Sequence, residues 1–280
     1  MLDPAGIGLD VAKVEDFTLQ RKRQIWVNVT LDDTDERLPK LLALLTRHGE
    51  SWLEHRRDRF TDEELSSAPL LIMKFQREHR IFGGPRAGTT YDLSDACKVC
   101  GAGARQTSAV LIDGEELHVL EGRAAASTPY SDIIVDEPLA RQLSSSGATG
   151  ISFRGVFASF EQRASLQLPW RQMCAATTLP PMWPRSTGIR RLETKCSLCI
   201  RSGLVSMSEQ PTRLAYRAKD LVGIQDVVTW EWFGEFRFDG DVSDALFPYP
   251  WFLVTPKVRR IFLDAGATGF DWIPIRVVDE

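Results

Sequence analysis

Two CxxC motifs constrain this chain more than any other feature. They are Cys97-Lys98-Val99-Cys100 and Cys196-Ser197-Leu198-Cys199, about a hundred residues apart. Each pair can turn as a tight knuckle that presents two thiolates, and two knuckles complete a tetrahedral all-thiolate zinc site. A fold that uses them together must bring two distant segments into contact. Four protein ligands leave no position for water or substrate, so zinc held by Cys97, Cys100, Cys196 and Cys199 is expected to be structural. Two other readings compete. A redox pair of the thioredoxin type sits once, at a helix start after a core strand, whereas Gly101 and Gly103 after the first pair suit a knuckle turn. Merely buried thiols would not account for two equally spaced pairs.

The chain also repeats itself. Ile133 to Leu139 (IIVDEPL) matches Phe252 to Val258 (FLVTPKV), and Gly147 to Phe153 (GATGISF) matches Gly266 to Trp272 (GATGFDW), at one constant offset. The unit reads as strand, helix, glycine stop, strand. Asp136 and Thr255 stand where an N-cap belongs, and Pro138 and Pro256 fall in the first helical turn. Leu139 and Leu143, matched by Val258 and Phe262, mark a buried helix face. Gly147 and Gly266 fit the left-handed residue that ends a helix. Ile151 and Phe153, matched by Phe270 and Trp272, alternate as a half-buried strand does. Each unit follows one CxxC pair, the second after a longer insertion. An α+β fold is expected, with a small N-terminal α/β module over 1–85 and a duplicated domain over 86–280, its halves covering about 86–160 and 185–280.

Within the N-terminal module, residues 1–20 read as a loose lead-in. Ile25 to Leu31 alternates as a strand, and Leu38 to Leu45 reads as a helix stopped near Gly49. Thr61 to Leu65 is a capping-box helix start, Leu70 to Phe75 is the next strand, and the glycines of Gly83 to Gly88 suggest a linker. The start, Met1 to Gly6, has neither the basic nor the apolar part of a signal segment, and no run reaches the ~18 apolar residues of a membrane span. A cytoplasmic protein without a membrane partner is expected. There, a chain with only five cysteines uses CxxC for metal or redox chemistry rather than for disulfides. A net charge of -4 makes nucleic acid an improbable partner.

No catalytic constellation stands out. His48, His55, His79 and His118 are scattered, Cys174 is isolated, and neither a G-x-S-x-G elbow nor a kinase signature occurs. A non-enzymatic role is therefore expected. The segment Val227 to Phe238 is rich in aromatics. Read at period two, Trp230, Trp232 and Phe236 share a face with Gly234 and Phe238. That face either covers a core or meets a partner, since Trp and Arg are enriched at interface hot spots. Asp239, Asp241 and Asp244 would form an acidic rim to it. Trp230, Trp232, Phe236, Asp239 and Asp241 are the candidate partner-binding residues.

The order CxxC-Gly, strand, helix, Gly-x-x-Gly strand, then a second CxxC and the same unit from Phe252 to Pro274, resembles the double-CXXCG-motif immunity proteins. These belong to myxobacterial polymorphic toxin systems, swarming-inhibition toxins among them. The resemblance covers roughly 71–280. It departs from the family at the second pair, which is followed by Ile200 rather than by glycine, and in an added N-terminal stretch of about 70 residues. It implies a protein that binds and neutralises a cognate protein toxin, with a structural zinc. The alternative is a zinc-ribbon module that binds nucleic acid or regulates.

Overall fold

A computed structural model describes residues 13–19, 22–76, 80–161, 163–193, 196–234 and 248–279. It mixes helices and strands in the α+β manner, and it divides into two compact units, Met1–Glu54 and His55–Glu280. In the first unit, β1 (Lys13–Leu19) and β2 (Lys22–Asn28) form an antiparallel hairpin, so residues 13–19 are a strand and not a loose lead-in. Helix α1 (Arg37–His48) follows. It ends at Gly49, whose φ of 65° places it in the left-handed region, with its N–H on the carbonyls of Leu45 and Thr46.

The second unit begins with α2 (Asp62–Ser67), closed by the reciprocal Thr61–Glu64 capping box. Next come β3 (Leu71–Phe75), β4 (Tyr91–Asp92), β5 (Arg105–Gln106), β6 (Val110–Asp113), β7 (Ala125–Ser127) and β8 (Ile133–Asp136). Helix α3 (Glu137–Ser145), β9 (Ile151–Phe160) and the long β10 (Arg163–Ala175) complete the first half of this unit. The remainder is β11 (Ile189–Arg191), β12 (Leu204–Ser206), β13 (Ala215–Arg217), β14 (Val227–Val228), β15 (Phe252–Val254), α4 (Pro256–Asp264), β16 (Phe270–Pro274) and β17 (Arg276–Val278).

Two sheets carry the core. One has the order β6-β9-β10-β8-β7, the other β14-β15-β3-β16. In the first, β10 runs antiparallel to both β8 and β9, so those two strands are parallel with a third between them. In the second, β3 stands in the same relation to β15 and β16. Each strand-helix-strand segment is thus a split crossover with an antiparallel strand inserted. The inserted strand comes from just after α3 and β9 in one case and from far upstream of α4 in the other.

That upstream origin moves a domain boundary. β3 is a middle strand of the second sheet, so residues 55–85 belong with the C-terminal body, and the boundary expected near 85 falls after Glu54. The expected linker is also absent. Gly83, Gly84 and Pro85 are buried, and a Cβ on Gly84 would lie 2.5 Å from the Tyr130 ring. The glycines there permit close packing rather than freedom.

The sheets are covered on both faces, which is why Ile133-Ile134-Val135 is a continuous apolar run. Ile133 and Val135 share a core with Leu139 and Leu143 of α3, Val258 and Phe262 of α4, and Leu71, Met73 and Val254. Ile134 turns the other way, onto Ile112, Val156 and Trp170. Ile72 and Leu253 likewise face a separate cluster with Tyr216, Phe233 and Trp251.

The helix ends follow the expected chemistry, with one difference. Asp136 caps α3 through Oδ1, which accepts the Leu139 amide at 2.8 Å. Thr255 occupies the N-cap of α4 but makes no cap bond. Its amide and hydroxyl donate to buried Asp226 Oδ1 at 2.7 and 3.2 Å. Gly147 and Gly266, with φ of 73° and 67°, follow the two helices.

Candidate metal centre

Each CxxC pair sits at the tip of a small antiparallel hairpin. The first lies between β4 and β5, the second between β11 and β12. The fold brings the tips together, and the four sulfurs of Cys97, Cys100, Cys196 and Cys199 all lie within 4.8 Å of one another. Cys97 and Cys196 are 3.5 Å apart at Sγ, as are Cys100 and Cys199. These separations exclude disulfides, whose sulfurs sit about 2.05 Å apart. They match the edges of about 3.8 Å that follow from a tetrahedron with metal–sulfur bonds of about 2.3 Å. The four cysteines can therefore hold a metal ion.

The knuckles are locally preorganised. The amides of Leu198 and Cys199 point at Cys196 Sγ, each at 3.4 Å, and those of Val99 and Cys100 do the same for Cys97. Amide donors aimed at sulfur favour the thiolate that a metal requires. Burial pushes the Cys97 thiol up, but these amides and the neighbouring sulfurs of Cys196 and Cys100 outweigh it and bring the group down to about 7. Burial dominates at Cys100 and Cys196, and both are raised above the ordinary thiol range. Four thiolates at this separation repel one another, so a bound cation is what makes the fully deprotonated cluster favourable.

The two turns are built differently. After the first pair, Gly101 takes φ of 70° and its N–H returns to the Cys97 carbonyl at 2.8 Å. After the second pair stands Ile200, which is outside the left-handed region; the chain turns later, at Gly203 with φ of 78°. Arg191 supports this looser loop, donating to the carbonyls of Ser202 and Ile200 at 2.9 and 3.1 Å. Ser202 is fully buried and donates its hydroxyl to Cys100 Sγ at 2.9 Å, so the second loop reaches into the first knuckle. Sequence reasoning missed Ser202 and Arg191. The Ser202-Gly203 pair beyond Ile200 was the available signal for the first, and nothing in the spacing marks the second.

The candidate partner residues have a different fate. The aromatic segment is not a long strand among the described residues, since β14 ends at Val228. Buried Thr229 breaks the run by donating its hydroxyl to the Glu231 carbonyl at 2.7 Å and accepting the Trp251 amide at 3.0 Å. Phe233 and Glu231, which period two would place together opposite the tryptophans, are both buried. Phe233 stacks on Trp251 with ring centroids 3.7 Å apart, and Glu231 Oε1 accepts the Met182 amide at 2.8 Å. Trp230 and Trp232 are half-buried, and Arg201 lies over both rings, at 5.1 and 5.9 Å. Trp232 packs against the cysteine cluster. Phe236, Asp239, Asp241 and Asp244 lie outside the described residues.

Cys174 stands apart from the cluster on β10, and burial pushes its thiol up to about 11, which does not suit a nucleophile. His118 is exposed on the 3-10 turn Gly114–Leu120. No helix among the described residues is long and apolar enough to cross a membrane. No protein-family model and no curated protein matches this chain.

Proposed function

We propose that this protein is a non-catalytic immunity protein that neutralises a cognate protein toxin in the cytoplasm by stoichiometric binding. In this reading zinc fills the four-cysteine site. An all-sulfur tetrahedron suits zinc, and its closed coordination fits a structural clamp. The observation that carries the reading is the convergence of both CxxC pairs on one site, because the paired motif is what links the chain to double-CXXCG immunity proteins. The order of elements adds support. A CxxC hairpin, a short strand, a 3-10 turn and a split strand-helix-strand unit occur twice in the same sequence. We read the two halves as copies of one ancestral unit, joined by the metal.

The toxin-binding surface is assigned to the second knuckle. Leu198 and Ile200 are exposed there, and Arg201 with Trp230 and Trp232 adjoins them. Arg and Trp next to exposed aliphatics are the residue types that dominate interface energetics.

The test is co-expression with the toxin encoded beside this chain. Restored growth, lost on Ile200→Asp, supports the reading; growth arrest despite soluble protein sinks it. The competing zinc-ribbon reading predicts salt-sensitive nucleic-acid binding. The net charge of -4 opposes it, and a clear gel shift at low salt would replace the immunity reading with it.

A further inference from the structure

A cavity of about 170 Å³ opens beside β3, β12 and β15. Lys74 and Arg80 line it, together with Ser131, Ser206, Phe233 and Trp251, and its lining contains no carboxylate. Lys74 Nζ donates to Ser206 Oγ at 3.1 Å and sits 5.4 Å from the centre of the Trp251 ring. Asp271 is paired with Lys74 across the strands, yet its carboxylate serves Gln76 Nε2 at 2.9 Å and Arg57 at 3.8 Å. Arg80 is still less satisfied. Its Nε is buried with no hydrogen-bond partner, and its guanidinium pairs with no group among the described residues.

Two cations that share a cavity lined by no carboxylate are costly to a folded protein, because the Asp271 charge and the Ser206 hydroxyl offset only part of the lost hydration and mutual repulsion at Lys74. An oxyanion between them removes both costs. Ser206 adds a third donor, since its oxygen accepts from Lys74 and its own O–H stays available. Ser131 is the one described non-glycine residue in the left-handed region, with φ of 60°, and such strain gathers where ligands are held. Phe233 and Trp251, stacked on one another, supply an apolar wall.

We propose that this cavity is a binding site for a small oxyanion, a phosphate or a carboxylate, gripped by Lys74, Arg80 and the Ser206 hydroxyl. The inference stands apart from the toxin-binding reading, and neither depends on the other. The wall suits a ligand with a compact planar or apolar body behind the anionic group.

The experiment is calorimetric titration of the full chain with inorganic phosphate and, separately, with benzoate, at ionic strength held constant with sodium chloride. One saturable site for either anion is expected. Arg80→Gln and Lys74→Met should each weaken it by at least about tenfold, since each removes a charge-assisted hydrogen bond. Arg217→Gln, on the cation that stacks over Trp183 at 4.3 Å, should leave the affinity unchanged. Circular dichroism and metal content verify that the variants fold, and Ser206→Ala, the mildest change, provides a second series with a smaller loss. Saturation by phosphate alone or by benzoate alone supports the site and names the anion class. No saturable binding of either anion overturns the proposal, as does binding that survives both Arg80→Gln and Lys74→Met.

Discussion

If zinc fills the four-cysteine site as proposed, removing it should loosen both hairpin tips at once, and Cys100 is the cysteine through which to test this. Its sulfur lies 3.5 Å from Cys199 Sγ, receives the Ser202 hydroxyl at 2.9 Å, and belongs to a residue with no exposed surface. Burial holds the metal-free thiol in its protonated form, so binding exchanges buried thiol protons for a cation. With free zinc about a thousandfold above its dissociation constant, the linkage is worth about 4 kcal/mol. In a folded unit of this size each kcal/mol moves the melting temperature by about 2–4 °C, so chelation should lower it by about 8–16 °C. Cys100→Ser should lower it at least as far and abolish stoichiometric zinc. Cys174→Ser, remote from the cluster, should keep the zinc. The assay pairs elemental analysis with calorimetry, with and without chelator. Hydrogen exchange should show the segments 91–106 and 189–206 losing protection together. Complete zinc removal with an unmoved melting temperature would refute the clamp, and so would a Cys100→Ser protein that retains one equivalent of zinc.

Three further outcomes are expected. Gly150→Ala should destabilise by about 2 kcal/mol or more in urea unfolding, because φ is 88° and the new Cβ would stand 2.1 Å from the Asp226 carbonyl oxygen; an unchanged midpoint would contradict the close packing seen there. Asp136→Ala should cost about 1 kcal/mol through the lost cap of α3, whereas Thr255→Ser, which keeps the hydroxyl that donates to Asp226, should cost less, and urea midpoints rank the two. Burial raises the Asp132 carboxyl to about 6, against the opposing hydrogen bonds from Thr128 and Gln172. The folded state then binds the proton more tightly than the unfolded state, so this contribution is largest below about pH 4 and is lost as pH rises through 6. Its size should be about 3 kcal/mol, from a rise of about two pKa units at about 1.4 kcal/mol each. Asp132→Asn should flatten stability measured across that window, and an unchanged slope would assign the effect elsewhere.

Much of the local structure was legible in the chain itself. The two CxxC pairs, the Thr61–Glu64 capping box, the glycines after α3 and α4, and both strand-helix-strand segments are short-range patterns. Their physics acts within a few residues: a side chain that caps an amide, a glycine that tolerates positive φ, an apolar period that selects one face. The CxxC spacing marked the cysteines that converge, because a knuckle turn presents two thiols from one loop.

Other features were decided only in three dimensions. β3 reads as part of an N-terminal module, yet it is inserted between β15 and β16, about 180 residues away, where it pairs the facing edges of both strands and adds Leu71 and Met73 to one core and Ile72 to the other. The glycines from Gly83 to Gly88 look like a linker, but two of them are buried against Ile112 and Tyr130. Period two grouped Trp230 with Trp232 and set Phe233 opposite them, whereas Thr229 breaks the strand and Phe233 enters the core. Arg191 beneath the second knuckle, and Arg80, whose Nε finds no partner among the described residues, have no signature in spacing. Sequence patterns record how each segment meets its own neighbours. Which distant segment covers a face, and which charge it leaves unpaired, is set when the whole chain closes on itself.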